Sequence, residues 1–568
     1  MKNKLIILLL ATLTGLAACK EDFIETTDPN SLTTSTFPTT KDHLNLMLNG
    51  LYANQHAFGL FGHNLPGKNL YSFDHTQDMS WIAFQYWNDQ HQNNTKPNNV
   101  FMEETWRDTW KGVQRSNALL AGLETFRQQS ARPDDAADLQ LIEGQARFLR
   151  AWFYYYLINF WGESFITNGG GGDRLGVPII TGVANELAIT QQPRATVRQV
   201  WDFIISDLQA AETLLGNKTG SGNDQYRAGI WSVKGFLGKA YVYTQEWTNA
   251  RTYLKDVVDN SGKSLLTFDT YKDMFNGKNE FNTESIVEIN FNVDRTGWGA
   301  WGDQSTGSGT GMIIGPCFVN DKGGTDGSGW SNVFPHDKNL TRFGFNEPVP
   351  TDKTNPAYLT RSRLLKATKQ VDPRLWVACL QPYADSMTAD GKQRAIAPYK
   401  DVPATFHAWS FRKYVNLEGT EYAVNVNNGS NFHWLRLADV YLLYAEALSQ
   451  SGDNATALEY INKVKRRAYS LPVNAVSAVD YKNLTDATES SDPVLRADPL
   501  KYERWAELFG EGSWWFDVCR WKIGAQEANY YQAVRGGAIN WSDGRSYAQP
   551  IPQSEIEANS QMRQNPGY

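Results

Sequence analysis

The stretch WLRLADVYLLYAEALSQSGDNATALEYINKVKRRA, residues 434–468, decides how this chain folds. Apolar side chains recur every three or four positions through 434–452, pause at Gly452-Asp453, and recur again through 454–468. That period belongs to amphipathic helices, and a glycine at the pause marks the turn between them. The spacing therefore predicts a helical hairpin.

Working outward, the same period returns. From Leu139 the chain reads LQLIEGQARFLRAWFYYYLINFWG, with Ile142, Ala146, Leu149, Phe153, Tyr156 and Phe160 on one face. Thr196 opens TVRQ, a capping-box spacing, and Val197, Val200, Trp201, Ile204, Ile205, Leu208 and Leu215 continue as a second amphipathic helix. Residues 228–246 and 247–258 predict another hairpin, with small Ala240 and Ala250 where two helices approach. One further helix is expected over 498–522, DPLKYERWAELFGEGSWWFDVCRWK. Paired helices of this kind, without a strict period, have the ingredients of tetratricopeptide-type repeats, and the fold class is mainly α.

Between the helical blocks, 55–100 and 292–360 are long, glycine-rich and aromatic-rich, as in WGAWGDQSTGSGTG and DKGGTDGSGW. Loops of that length inside a packed chain are disordered or functional, and disordered segments are poor in rings. The chain is 13% aromatic and has 20 Trp, many of which a core absorbs, so placement carries the functional argument. These segments read as a recognition surface on a helical scaffold.

The N-terminus sets the compartment. Lys2 and Lys4 precede an apolar run from Leu5 to Leu13, and LTGLAACKED (13–22) puts small residues before Cys19. This is a secretory signal over 1–18, too short to span a bilayer. LAAC resembles the bacterial lipobox, which makes Cys19 the acylated first residue of a lipoprotein; soluble secretion after cleavage is the alternative. Acyl chains hold a domain to a membrane at about 0.8 kcal/mol per buried methylene. Lys20-Glu21-Asp22 resembles the signal that exports Bacteroidetes-type lipoproteins to the outer face of the outer membrane. Without residues 1–18 the chain carries 52 basic and 61 acidic side chains, a net −9, which disfavours nucleic acid. Cys317, Cys379 and Cys519 are too scattered for a disulfide framework or a CxxC metal site.

A family resemblance covers nearly the whole mature chain. GQARFLRAWFYYYLINFWGES, GVPII, ATVRQVWDFIISDLQAAE and AGIWSVKGFLGKAYVY occur in that order. VDPRL (371–375), RLADVYLLYAEAL, YINKVKRRA, ERWAELFGEGSWWFDVCRWK and PIPQSEIEANSQMRQNPGY follow. The set resembles the SusD/RagB family. Trp505-Ala506-Glu507 departs from it, since members often have more basic residues there. The resemblance implies four tetratricopeptide-like hairpins supporting a loop-built ligand site. It implies an N-terminal half over 19–270 with the aromatic loop 55–100. The C-terminal half then spans 271–568, with a loop-rich insert at 292–410 and hairpins at 434–522. It further implies a surface lipoprotein that captures oligosaccharide or polysaccharide, or in some members peptide. The captured ligand passes to a SusC-like TonB-dependent outer-membrane transporter, with no chemistry done on it.

The residues agree with that mode of binding. Sugar rings present apolar faces framed by hydroxyls, so their sites pair flat aromatic platforms with short polar side chains. YSFDHTQDMSWIAFQYWND (71–89) interleaves Tyr71, Trp81, Tyr86 and Trp87 with Asp74, Gln77, Asp78, Asn88 and Asp89. NVDRTGWGAWGDQ (292–304) sets Trp298 and Trp301 among glycines near Asp294, Arg295 and Asp303. The expected platform is Trp81, Trp87, Trp298 and Trp301, with Tyr71 and Asp78 beside it; the bland reading makes these rings core plugs.

Other chemistries are poorly served. No HExxH or GxSxG occurs, SGKS (261–264) has Val257 where a P-loop needs glycine, and GGGGD (169–173) is not GxGxxG. Paired carboxylates such as Glu103-Glu104 or Asp74 with Asp78 keep a glycoside hydrolase as the rival, though 61 acids make such pairs commonplace. A calcium site in DKGGTDGSG (321–329) is conceivable but lacks the EF-hand spacing, and the eight histidines include no i, i+4 pair on an expected helix, so no metal ligand set is assigned and no cofactor is expected. Arg147 and Arg150 read as internal structural partners. A scaffold that binds only proteins is the third reading.

Overall fold

Helices begin where the sequence supplies a cap. The Thr196 hydroxyl accepts from the Gln199 amide while the Gln199 side chain accepts from the Thr196 amide, which starts Val197–Leu215. Asp453 accepts from the Thr456 amide to start Asn454–Ala468, and Asn99 accepts from the amides of Phe101 and Met102 to start Val100–Gln129. The computed structural model describes residues 37–74, 77–78, 85–292, 307–399, 402, 404–420, 424–426, 428–535 and 539–568. Cys19 lies outside them.

Helices Val100–Gln129, Ala136–Trp161, Val197–Leu215, Ile230–Tyr243 and Trp247–Asn260 pack on one another in chain order. The last of these packs on Leu437–Gln450, nearly two hundred residues later, and that helix packs on Asn454–Ala468. Ala136–Trp161 is buried on almost every side from Gly144 onward, as an all-round apolar helix must be. Gly112 permits its contact with the preceding helix: a Cβ there would lie 2.4 Å from the Phe153 ring. One apolar cluster runs from Leu44 to Met562. A second joins the 313–415 segment to helices Pro499–Leu508 and Trp514–Trp521. Arg150 is buried and Arg147 half-buried, and both pair with Asp207 as structural partners.

Three expectations change. Residues 434–436 belong to a strand, Phe432–Arg436, buried on both faces and paired antiparallel with Ser285–Ile289. A strand buried on both faces reads as an apolar run and is indistinguishable by period from a helix start. The helix expected over 498–522 is two, Pro499–Leu508 and Trp514–Trp521, because Gly510 and Gly512 adopt φ of +76° and +71° between them. Two helices have no counterpart among the periodic stretches of the sequence, Lys41–Ala53 and the thirty-residue Val100–Gln129. In the latter a narrow stripe of Trp106, Val113, Leu119, Leu123 and Phe126 is diluted by charged and amide side chains.

Strand, loop and helix of the region from 284 to 511 also meet through buried charge. Arg374, Lys413, Arg436 and Arg467 face Asp372, Glu284, Glu503, Glu507 and Glu511, every side chain at most 4% exposed. Buried ions persist only when each is paired, and here each carboxylate has a guanidinium or ammonium partner.

Candidate functional site

The two ring-rich loops spring from one patch. At the stem of the second loop, the Phe291 amide donates to Asn431 Oδ1 at 2.8 Å and its ring lies 5.0 Å from that of His56. The chain re-enters at Ser308, whose amide donates to the Asn428 carbonyl at 2.6 Å, and at Gly309, whose amide donates to the Gly62 carbonyl at 2.7 Å. Glycine is required at 309, since a Cβ would lie 2.2 Å from that same carbonyl oxygen. The helix Gly309–Ile314 that follows packs on Leu65–Leu70, the segment that leads into the first loop. Asp78 and Gln77 form a two-residue antiparallel strand with Phe334 and Pro335. Residues 56–63, 291–292, 307–314 and 330–335 therefore form one floor at the described stems of both segments.

That floor carries its own rings. His63 stacks on Phe58 at 4.5 Å and meets Trp330 edge-on at 5.8 Å, and the Trp330 amide donates to the Met312 carbonyl at 2.6 Å. Burial lowers His56 to about 4; burial and the nearby Lys68 ammonium lower His63 to about 3. Both imidazoles are neutral at ordinary pH, so the floor offers rings and hydrogen-bonding groups rather than charge.

The site residues expected from sequence divide sharply. Trp81, Trp298 and Trp301 lie outside the described residues. For Asp78 the backbone pairing is described and the side chain is not. Tyr71 and Trp87 are corrections. Tyr71, 1% exposed, stacks on Phe411 at 5.1 Å and donates its hydroxyl to the Gly510 carbonyl. Trp87, 3% exposed, sits on the inner side of Gln85–His91, edge-on to Phe101 at 6.3 Å and with Lys68 Nζ 5.7 Å from its ring centroid. Neither ring has a free face. Short helices, Tyr71–Phe73 and Gln85–His91, turn these two side chains inward, and a segment too short for a visible period gives no warning of that. Asp74 is equally internal: it accepts from the Trp515 amide, and burial pushes its carboxyl well above the usual range. Half-buried Trp330 was passed over, although GSGW carries the same glycine-flanked signal as Trp298 and Trp301.

The chain's relatives are consistent with this arrangement. Residues 283–568 match the model described as the SusD family, and residues 22–242 match one described as starch-binding associating with outer membrane. A SusD-like protein of Bacteroides ovatus is 25% identical over 551 residues, covering 92% of this chain and 83% of its own. The starch-binding protein SusD of Bacteroides thetaiotaomicron is 25% identical over 464 residues, 78% and 75% of the two chains. A solved laminarin-binding SusD-like protein superposes with a TM-score of 0.66 at 22% identity, over 93% of this chain and 100% of that one. The matched halves, together with a helical scaffold that gathers two ring-rich loops on one floor, place this chain in the SusD family.

Proposed function

We propose that the chain is a cell-surface glycan-binding lipoprotein. It is anchored through Cys19 on the extracellular face of the outer membrane. It captures oligosaccharide or polysaccharide and hands it to a SusC-like TonB-dependent transporter, without acting on the ligand as an enzyme. The carrying observation is that the stems of both ring-rich loops rise from a single floor of neutral, aromatic and amide-bearing residues. Trp81, Trp298 and Trp301 are the platform assigned to those loops, with Asp78 as a hydrogen-bonding neighbour. The starch-binding and laminarin-binding relatives support the ligand class, and their different glycans leave its identity to the loops. No helix among the described residues is long and apolar enough to cross a membrane, so the lipid is assigned the anchoring role.

The test is a glycan array probed with the mature chain and with a Trp81→Ala/Trp298→Ala/Trp301→Ala variant. Binding to at least one glycan and its loss in the variant are expected. Undiminished binding in the variant removes the platform, and release of reducing ends from a bound polysaccharide turns the reading to a hydrolase.

A further inference from the structure

A second cavity lies away from the loop floor. It has a volume of about 580 Å³, between the 219–229 turn, the start of Ile230–Tyr243 and the Ser285–Ile289 strand. That size falls within the roughly 300–1,000 Å³ of small-molecule sites. Three half-buried rings, Tyr226, Trp231 and Phe281, line it. Between them stand neutral hydrogen-bonding side chains. Among the described residues Gln55, Ser221 and Gln225 make no side-chain hydrogen bond within the protein, and all three line the cavity.

Gln55 is the telling member. The residue is only 6% exposed, and its side-chain amide is left to the solvent of the cavity it lines. A molecule in the cavity can therefore exchange hydrogen bonds with this amide in place of water. The charged groups, by contrast, are already engaged. Glu288 accepts from the Phe281 amide at 2.7 Å and from Asn431 Nδ2 at 2.9 Å, besides Ser285 Oγ, and lies 3.2 Å from His433 Nε2. Arg227 is paired with Asp224 at 2.8 Å and donates to Asn49 at 2.7 Å. Lys263 donates to the Asn282 carbonyl and sits within reach of the Glu288 charge. A cavity with compensated charges, open amides and aromatic walls suits a neutral polyhydroxylated molecule and disfavours an anion.

We infer that this cavity is a second carbohydrate site that takes a short neutral oligosaccharide, stacked on Trp231 and Tyr226 and hydrogen-bonded by Gln55. The proposed glycan function supplies the ligand class; of the residues named, Gln55 alone comes from the 55–100 segment, and Tyr226, Trp231 and Phe281 come from neither ring-rich loop. The Ser285–Ile289 strand links the two regions, since its far end runs directly into the Phe291 stem. At about 3.3 Å per residue, Val287 and Phe291 are roughly 13 Å apart, so the two sites are neighbours rather than one groove.

The experiment is calorimetric titration of the mature chain with maltotetraose, laminaritetraose, cellotetraose and xylotetraose. It is repeated on the Trp81→Ala/Trp298→Ala/Trp301→Ala background. At least one tetrasaccharide is expected to bind that background with one site per chain. Adding Trp231→Ala should then weaken it about tenfold, the loss of one stacked ring with its hydrogen-bonding frame. Gln55→Leu, which keeps the side-chain volume and removes the amide, should leave the melting temperature nearly unchanged while weakening binding about fivefold. Two results overturn the inference. One is no binding of any of the four at millimolar concentration in the loop-ring background; the other is residual binding indifferent to both added substitutions. Should wild type and loop variant bind alike and both lose affinity with Trp231→Ala, the loop platform falls and the cavity site stands.

Discussion

Replacing Arg436 by Met tests whether the buried charge cluster ties strand Phe432–Arg436 to helix Pro499–Leu508 and the Glu284 and Glu511 carboxylates. Arg436 Nε and Nη2 donate to Glu511 at 2.8 Å, and Nη1 donates to Glu284 at 2.7 Å and Glu507 at 2.6 Å. Methionine preserves most of the packing and removes the charge, leaving Arg374, Lys413 and Arg467 against five carboxylates. Breaking a buried ion cluster from one side costs about 3–5 kcal/mol, because the partners stay buried and under-compensated. At ~2 cal/mol/K of unfolding entropy per residue, a chain this size loses roughly 3–5 °C of melting temperature. The pH dependence is more diagnostic. Burial alone would raise Glu507 and Glu511; Arg467 and Arg436 for the first, and Arg436 with Lys413 for the second, hold both below the usual carboxylate range. A depressed carboxylate contributes stability that is present above its unfolded value near 4.3 and lost as the pH falls through the folded value. In Arg436→Met both folded values rise, so the deficit is full above about pH 5 and shrinks towards pH 4. Guanidinium unfolding followed by tryptophan fluorescence and circular dichroism, at pH 7 and pH 4.5, measures both. A loss under 1 kcal/mol at pH 7, or an equal loss at the two pH values, refutes the reasoning.

Trp87→Ala should destabilise the chain by about 3–5 kcal/mol, as for a large ring removed from a core, and leave glycan affinity within twofold where the variant is folded. Chemical denaturation and calorimetry distinguish this from a platform role, which would show the reverse. Thr196→Ala removes the capping box of Val197–Leu215 and should cost about 1 kcal/mol by denaturant titration; Thr196→Ser should restore most of it. Glycan affinity should be flat from pH 8 to pH 5.5, because His56 and His63 stay neutral there, and a step in calorimetric affinity near pH 6.5 would contradict that assignment. Their lowered values also mean that the stability they contribute is complete above about pH 6.5. It is lost as the pH falls from there towards 4 for His56 and 3 for His63.

Much of the scaffold was legible because its signals are local. Thr196 with Gln199 caps a helix within one turn, and Gly452-Asp453 separates two periodic runs that fold as Leu437–Gln450 and Asn454–Ala468. Arg150 could be assigned to the interior because it rides on a helix apolar all round, although its partner Asp207 is 57 residues away and unreadable. The site was legible at the level of segments only. Rings beside short polar side chains in 71–89, and rings between glycines in 292–304, single out two stretches whose stems meet at one floor. Which ring faces outward could not be read: Tyr71 and Trp87 have the same composition around them as Trp81, yet two short helices bury them.

By itself the sequence determined the helical period, the caps and turns, and the two segments rich in rings. Each of these depends on residues within a few positions of one another. The tertiary structure alone decided that Phe432–Arg436 is a strand, that Tyr71 stacks on Phe411 from 340 positions away, and that Gly62, Asn428 and Ser308 knit two loops to one floor. It alone left the Gln55 amide facing a cavity. Burial is a property of everything that packs on a side chain, and those neighbours come from parts of the chain that no local pattern connects.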